Sequence, residues 1–383
     1  MVDNDRAFLH IHNYSFYYRL VEKPKYDLNY LIKSFLGGGR EGVPVDSTGT
    51  ITHLLKVQNT FPIPIFSNDM EKSITLIYGN TVKTMVQKNK PIDIFWSGGV
   101  DSTSVVAAFL KECKNLDQVR IMLNERSIHE YESFFNKYIK NNLNYKIFDT
   151  HLYKEISSSL ANNLVVTGHP IGLLLVRKAP FREISKKLSL PKEARGWPWK
   201  DIFKTDIPVF ANSDQDAFFV EKIQCQLDKA PFVIETFNDL IWWLEFSCKW
   251  QCEVWDSFKF SKILNSDKVN NLEPFFKNDD FRYWGLWNYS SNNANIRYSE
   301  VSYKAALKKY IYNFNKDEEY YQHKDKSYTD MNSYDAYGNR EPLPVYAIDN
   351  EYNTYSLDDA LTKKNLLKIF ENDGDDYKKW IQY

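Results

Sequence analysis

The stretch FWSGGVDST at 95–103 constrains the fold more than any other part of the chain. Ile92, Ile94, Phe95 and Trp96 read as a short buried strand, and Val105, Val106, Phe109 and Leu110 recur at helical spacing behind it. Two adjacent glycines at a strand-to-helix turn open backbone conformations closed to other residues. They also leave no side chain between main-chain N–H groups and an anion. A helix beginning near Asp101 adds its N-terminal N–H groups and dipole, and the hydroxyls of Ser97, Ser102 and Thr103 are further donors. The stretch therefore reads as a phosphate cradle. Its spacing is not that of the kinase and GTPase loop, and no lysine sits inside it. An aspartate would repel phosphate directly, so Asp101 makes sense through a bridging Mg²⁺.

Strand, loop and helix then repeat. Further strands are expected at 118–124, 145–153 and 164–169, with a helix at 127–142 between the first two of these. That alternation predicts an α/β fold with a parallel sheet of about five strands, with ligands at the strands' carboxyl ends. The first 74 residues read as a small β-containing region, with strand-like alternation in RAFLHIHNYSFYYRLV and an edge or irregular strand at FPIPIF. Helices follow residue 177, among them an aromatic one with Trp243, Phe246, Trp250 and Val254 on one face and another at 301–314. The resulting division is 1–74, 75–315 and a polar, Tyr-rich C-terminal extension at 316–383.

Lys and Arg number 49 against 50 Asp and Glu, so no global field steers the chain toward nucleic acid or an anionic membrane. The longest apolar runs are a few residues, MVDNDRAFLHIHN lacks the order of a signal peptide, and four cysteines are too few for a disulfide framework. A cytoplasmic protein with free thiols and no membrane segment is expected.

SGGVDS, with a strand before it and a helix after, resembles the pyrophosphate (PP) loop of the N-type ATP pyrophosphatases, a family that includes asparagine synthetase, argininosuccinate synthetase and GMP synthetase. Over about 75–315 the chain looks most like the synthetase domain of asparagine synthetases. The resemblance implies a sheet of the adenine-nucleotide hydrolase (HUP, Rossmann-like) type, with ATP and Mg²⁺ as cofactors. Ser97, Gly98, Gly99, Val100, Asp101, Ser102 and Thr103 would hold pyrophosphate, with Asp101 as metal ligand. Met122, Leu123 and Asn124 match the place where the family holds adenine by backbone contacts, and Gly168 lies in the loop after the fourth strand. YKAALKKY resembles the family's lysine-bearing helix, which makes Lys304 a catalytic lysine that contacts the phosphates and neutralises the charge building on pyrophosphate, with Lys308 four residues on. The implied reaction is adenylation of a carboxylate or carbonyl substrate, followed by C–N bond formation with ammonia or an amine. The family's glutaminase half needs an N-terminal cysteine. The first cysteine here is Cys113, so the amine is expected from solution or a separate partner.

The chain departs from the family at TGHPIG, where His169, Pro170 and Gly172 stand in place of acidic residues. That motivates a competing expectation, a catalytically degenerate ATP-binding protein acting through partners. A third is a nucleobase-modifying PP-loop enzyme. Other features have plainer readings. Cys248 and Cys252 have an i, i+4 spacing that suits a metal but are read as buried thiols. His10 and His12 lack acidic or cysteine companions. Arg177, Lys178, Arg182, Lys186 and Lys187 suit either an anion or a solvated helix face, and the stripe at 242–258 is core rather than a nucleic-acid platform.

Overall fold

The computed structural model describes residues 8–11, 17–18, 24–36, 42–53, 57–65, 73–149, 152–175, 179–256, 268, 270–291, 304–324, 346–349 and 354–356. Early in the chain come β1 (Phe8–Ile11), α1 (Leu28–Phe35) and α2 (Ile74–Val86). The central run is β2 (Ile92–Phe95), α3 (Val100–Glu112), β3 (Val119–Leu123), α4 (Glu125–Glu130), β4 (Asn144–Ile147), α5 (Leu152–Ser159) and β5 (Leu164–Thr167). Then follow α6 (Ala179–Leu188), α7 (Phe237–Asp256), β6 (Leu272–Pro274), α8 (Asp279–Ser290), α9 (Ala305–Asn315), α10 (Glu318–His323), β7 (Tyr346–Asp349) and β8 (Thr354–Ser356).

The chain forms two compact units, and neither is continuous in sequence. The first comprises Met1–Ile63, Val176–Asp256 and Pro344–Tyr383, the second Pro64–Leu175 and Ser257–Leu343. This partition differs from the uninterrupted 75–315 span suggested by the sequence. The reason lies in α7, which is buried on nearly every side and belongs with the N-terminal residues. Its Ser247 and Cys248 carbonyls accept hydrogen bonds from the Ser47 and Val45 amides at 2.8 and 2.9 Å. Trp243, Phe246, Trp250 and Val254 are core, as their spacing predicts. In the same unit β1 pairs antiparallel with β7, and β7 with β8. Residues 316–383 therefore are not one extension: α10 joins the second unit, and β7 and β8 the first.

The second unit holds the five-stranded parallel sheet, in the order β4-β3-β2-β5-β6. Numbered along the sheet's own sequence this is 3-2-1-4-5, the doubly wound order whose direction reverses between β2 and β5. Ile92 pairs with Val119 on one side and Leu164 on the other, and β2 and β5 are buried at every position. Such strands carry near-continuous apolar sequence, and each fully buried aliphatic side chain contributes about 1.5–3 kcal/mol. Edge strand β4 is exposed at all four residues, and the opposite edge, β6, tolerates Pro274 because an edge position needs no second ladder donor.

Local differences from the sequence expectations have local causes. The strand expected at 145–153 ends at Ile147, after which the Phe148 amide makes one more bond to the Leu123 carbonyl and α5 takes up the remainder. The helix expected at 127–142 breaks at Tyr131 (φ −150°, ψ 69°) and continues through the π turn Phe135–Ile139. The strand expected at 164–169 ends at Thr167, and residues 61–65 of FPIPIF are irregular. His12, Arg177 and Lys178 lie outside the described residues.

Candidate functional site

The loop between β2 and α3 sits at the reversal point of the sheet. It is tied down first through Trp96, whose amide donates to the Met122 carbonyl (2.9 Å) and whose indole Nε1 donates to Thr103 Oγ1 (3.0 Å). Ser102 Oγ lies 3.0 Å from both the Ser97 amide and Ser97 Oγ, closing the turn across the glycines. Gly98 has φ +74°, a left-handed conformation. A β-carbon there would stand 2.5 Å from the Ser127 carbonyl oxygen and 2.6 Å from Glu130 Cβ, so only glycine fits under α4. Gly168, just past β5, plays the matching part: its β-carbon would come within 3.1 Å of the Ser102 amide and 3.2 Å of Asp101 Cβ. The strand end thus packs directly on the first turn of α3.

Asp101 faces Lys304, a contact that neither motif implies. Lys304 Nζ makes an ion pair with Asp101 Oδ2, while the other carboxylate oxygen, Oδ1, is buried with no hydrogen-bond partner. Lys304, expected inside a helix at 301–314, is instead the left-handed N-cap (φ +66°) just before α9, and from there it reaches Asp101. The Tyr310 ring holds α9 down, stacked on Tyr78 at 4.0 Å, and the Tyr78 hydroxyl in turn lies 2.9 Å from Ser104 Oγ in α3. Lys308 is buried.

A second group at the loop carries no motif in the sequence. Glu130, whose Cβ overlies Gly98, makes an ion pair with Lys324, and both side chains are largely buried. Tyr131 stacks on Tyr320 with ring centroids 3.8 Å apart, donates its hydroxyl to Asp317 (2.9 Å) and accepts from Asn315 (2.8 Å). Burial raises the Tyr320 phenol above the ordinary tyrosine range, and Asp101, Glu130 and Asp317 add to that rise, so it remains a protonated donor. EEYYQHK at 318–324 has no spacing that marks it as a site.

The other proposed contacts are placed as follows. The Met122 and Leu123 carbonyls are engaged by Trp96 and Phe148 at the end of β3, and Asn124 caps α4 by accepting from the Ser127 amide at 2.9 Å. Val100 opens α3. His169 follows Gly168, and among the described residues no three His, Cys, Asp or Glu side chains gather as a metal cluster. Cys248 and Cys252 are both buried in α7, Cys252 Sγ donating to the Lys249 carbonyl, and burial raises the Cys248 thiol well above its usual range. Lys187 donates to the Val209 and Phe210 carbonyls within the first unit, while Arg182 and Lys186 are exposed. No described helix is long and apolar enough to cross a membrane.

The sheet order makes the second unit an α/β domain of the doubly wound class. No protein-family model matches the chain, and no curated protein does. Among solved structures the chain is similar to the U34-tRNA thiolase NcsA from Methanococcus maripaludis with its 4Fe–4S cluster, at 14% identity and a TM-score of 0.22 over 61% of this chain and 86% of that one.

Proposed function

We propose that the second unit binds ATP at 97–103 and uses it to adenylate a carboxylate or carbonyl substrate, releasing pyrophosphate, before an amine or ammonia completes a C–N bond. The observation that carries this reading is the Asp101–Lys304 pair, set beside Gly98 at the N-terminus of α3, at the point where the sheet order reverses. Two residues 203 positions apart, each singled out by its own motif, meet there.

In the proposed reaction a substrate oxygen attacks the α-phosphorus, the bond from that phosphorus to the α,β-bridging oxygen breaks, and pyrophosphate leaves with the electron pair. Nitrogen then attacks the activated carbon, AMP departs and the nitrogen loses a proton. The chain's part is positioning and charge neutralisation. Main-chain N–H groups at 98–102 would hold the leaving pyrophosphate, and Lys304 would neutralise the charge growing on it. The buried, unpartnered Asp101 Oδ1 suits a Mg²⁺ ion that takes its remaining ligands from phosphates and water. Bound there, Mg²⁺ would supply further charge neutralisation. The test is conversion of α-labelled ATP to AMP in the presence of candidate carboxylates and an amine, resolved from ADP.

A second reading, an ATP-binding protein without turnover, is favoured by His169 and Gly172 standing where acidic residues are expected. It predicts that ATP binds and no AMP forms under any substrate mixture.

A further inference from the structure

Two lysines from one short segment, 304–324, grip two acids on different sides of the glycine loop. Lys304 holds Asp101 on the first turn of α3, and Lys324 holds Glu130, whose side chain lies against Gly98. The Lys324 and Glu130 side chains are only 13% and 15% exposed, so their desolvation offsets much of what the pair gains. Tyr320, 6% exposed, brings its hydroxyl beside Thr103 without a hydrogen bond of ordinary geometry, which adds the cost of an unsatisfied buried donor. An apolar contact at this place would pack more cheaply. A buried cation, a buried free donor and a glycine backbone converging on one helix N-terminus are instead what an incoming multivalent anion requires.

We infer that Lys324 and Tyr320 form a second phosphate-binding arm of the loop, with Glu130 holding Lys324 in place until a polyphosphate displaces it. On binding, the Lys324 ammonium exchanges a Glu130 oxygen for a non-bridging phosphate oxygen, and the Tyr320 hydroxyl donates to the same group. No covalent bond changes. The inference rests on the proposed nucleotide site, and it assigns roles to three residues outside the loop motif.

The sign of the Glu130 effect separates this role from a structural one. Calorimetric titration of the full chain with Mg·ATP and with AMP, at fixed ionic strength, reads it directly. Lys324→Gln should weaken ATP binding about tenfold and leave AMP, which lacks the pyrophosphate, nearly unchanged. Tyr320→Phe should weaken ATP binding about threefold to tenfold. Glu130→Gln should tighten it by a few-fold, because it removes the competing carboxylate, and the double variant should behave as Lys324→Gln alone. Thermal unfolding of each variant reports whether the fold is retained, and Lys324→Arg, which keeps the charge, should restore most of the affinity. Equal weakening by Glu130→Gln and Lys324→Gln would make the pair a structural tie and overturn the inference. So would an unchanged ATP affinity in Lys324→Gln while Lys304→Gln weakens it, an outcome that leaves the loop reading standing. Absence of ATP binding by the unaltered chain would overturn both.

Discussion

Gly98 and Gly49 form a matched pair in which a single structural difference sets the cost of adding a methyl group. Both are left-handed, at φ +74° and +71°, so replacement by alanine brings the same backbone penalty, about 1 kcal/mol. At Gly49 nothing lies within 4 Å of the new β-carbon. At Gly98 the Ser127 carbonyl oxygen is 2.5 Å away and Glu130 Cβ 2.6 Å away. A backbone oxygen cannot rotate aside, so α4 must move, at about 1–3 kcal/mol for an overpacked contact. Gly98→Ala should therefore cost about 2–4 kcal/mol and Gly49→Ala about 1. The two glycines belong to different units, so native-state hydrogen exchange is the suitable assay. Protection at 100–112 should drop about 30-fold or more in Gly98→Ala, whereas protection at 46–51 in Gly49→Ala should drop only about fivefold. Equal losses would refute the close approach of α4 to the loop as the reason for glycine at 98.

Asp101→Ala should abolish AMP formation, a loss of about 100-fold or more, with the unfolding transition intact; a fully active variant would sink the proposed role. The first unit should be acid-sensitive through His53, whose ring nitrogens are buried and whose pKa burial lowers from 6.5 to about 4. The unfolded chain then binds the proton more tightly, so stability is complete above about pH 6.5 and falls by roughly 2–3 kcal/mol toward pH 4. In His53→Gln that part of the pH slope should vanish, as measured by urea unfolding across the range. Asp93, 1% exposed, accepts two bonds from Arg120 (2.9 and 2.8 Å) and one from Asn163 (2.7 Å). Asp93→Asn should cost about 1–3 kcal/mol; a thermal shift below one degree would contradict the structural reading of this network.

What the sequence made legible is what neighbouring residues decide together. The β2 strand, the glycines and the first turn of α3 are contiguous, so strand pattern, turn chemistry and helix pattern point to one answer within a dozen residues. β3 and β5 followed from apolar runs. β6 did not, because three residues, Leu-Glu-Pro, carry no periodicity, and they reach β5 only after the chain has passed through the other unit. The break at Tyr131 was hidden for the opposite reason: FFNKYI reads as ordinary helix, and the departure occurs where Tyr131 stacks on Tyr320, some 190 positions away. Glu130, Tyr320 and Lys324 reach the loop by that same tertiary packing. Lys304 was found because its helix matched a known pattern, whereas Lys324 sits at the end of one that matches none.

The energetics of the 304–324 segment decide how a ligand reaches the loop. The Tyr131–Tyr320 stack contributes about 0.5–1.5 kcal/mol, and the charge-assisted Tyr131–Asp317 bond about 1.5–3 kcal/mol. The Tyr78–Tyr310 stack adds a further term of the first kind. Lifting α9 and α10 away from the loop would forfeit all of these. The two ion pairs resist less, because the desolvation of largely buried partners offsets much of each pair's attraction, and a phosphate at the proposed site would offer each lysine a replacement. Exchange of partners by rotation of the Lys304 and Lys324 side chains is therefore the low-cost route, with the stacked tyrosines as the fixed frame around which it happens. The consequence for binding is a modest penalty, because each lysine would give up a carboxylate whose attraction desolvation already offsets and gain a phosphate oxygen in its place.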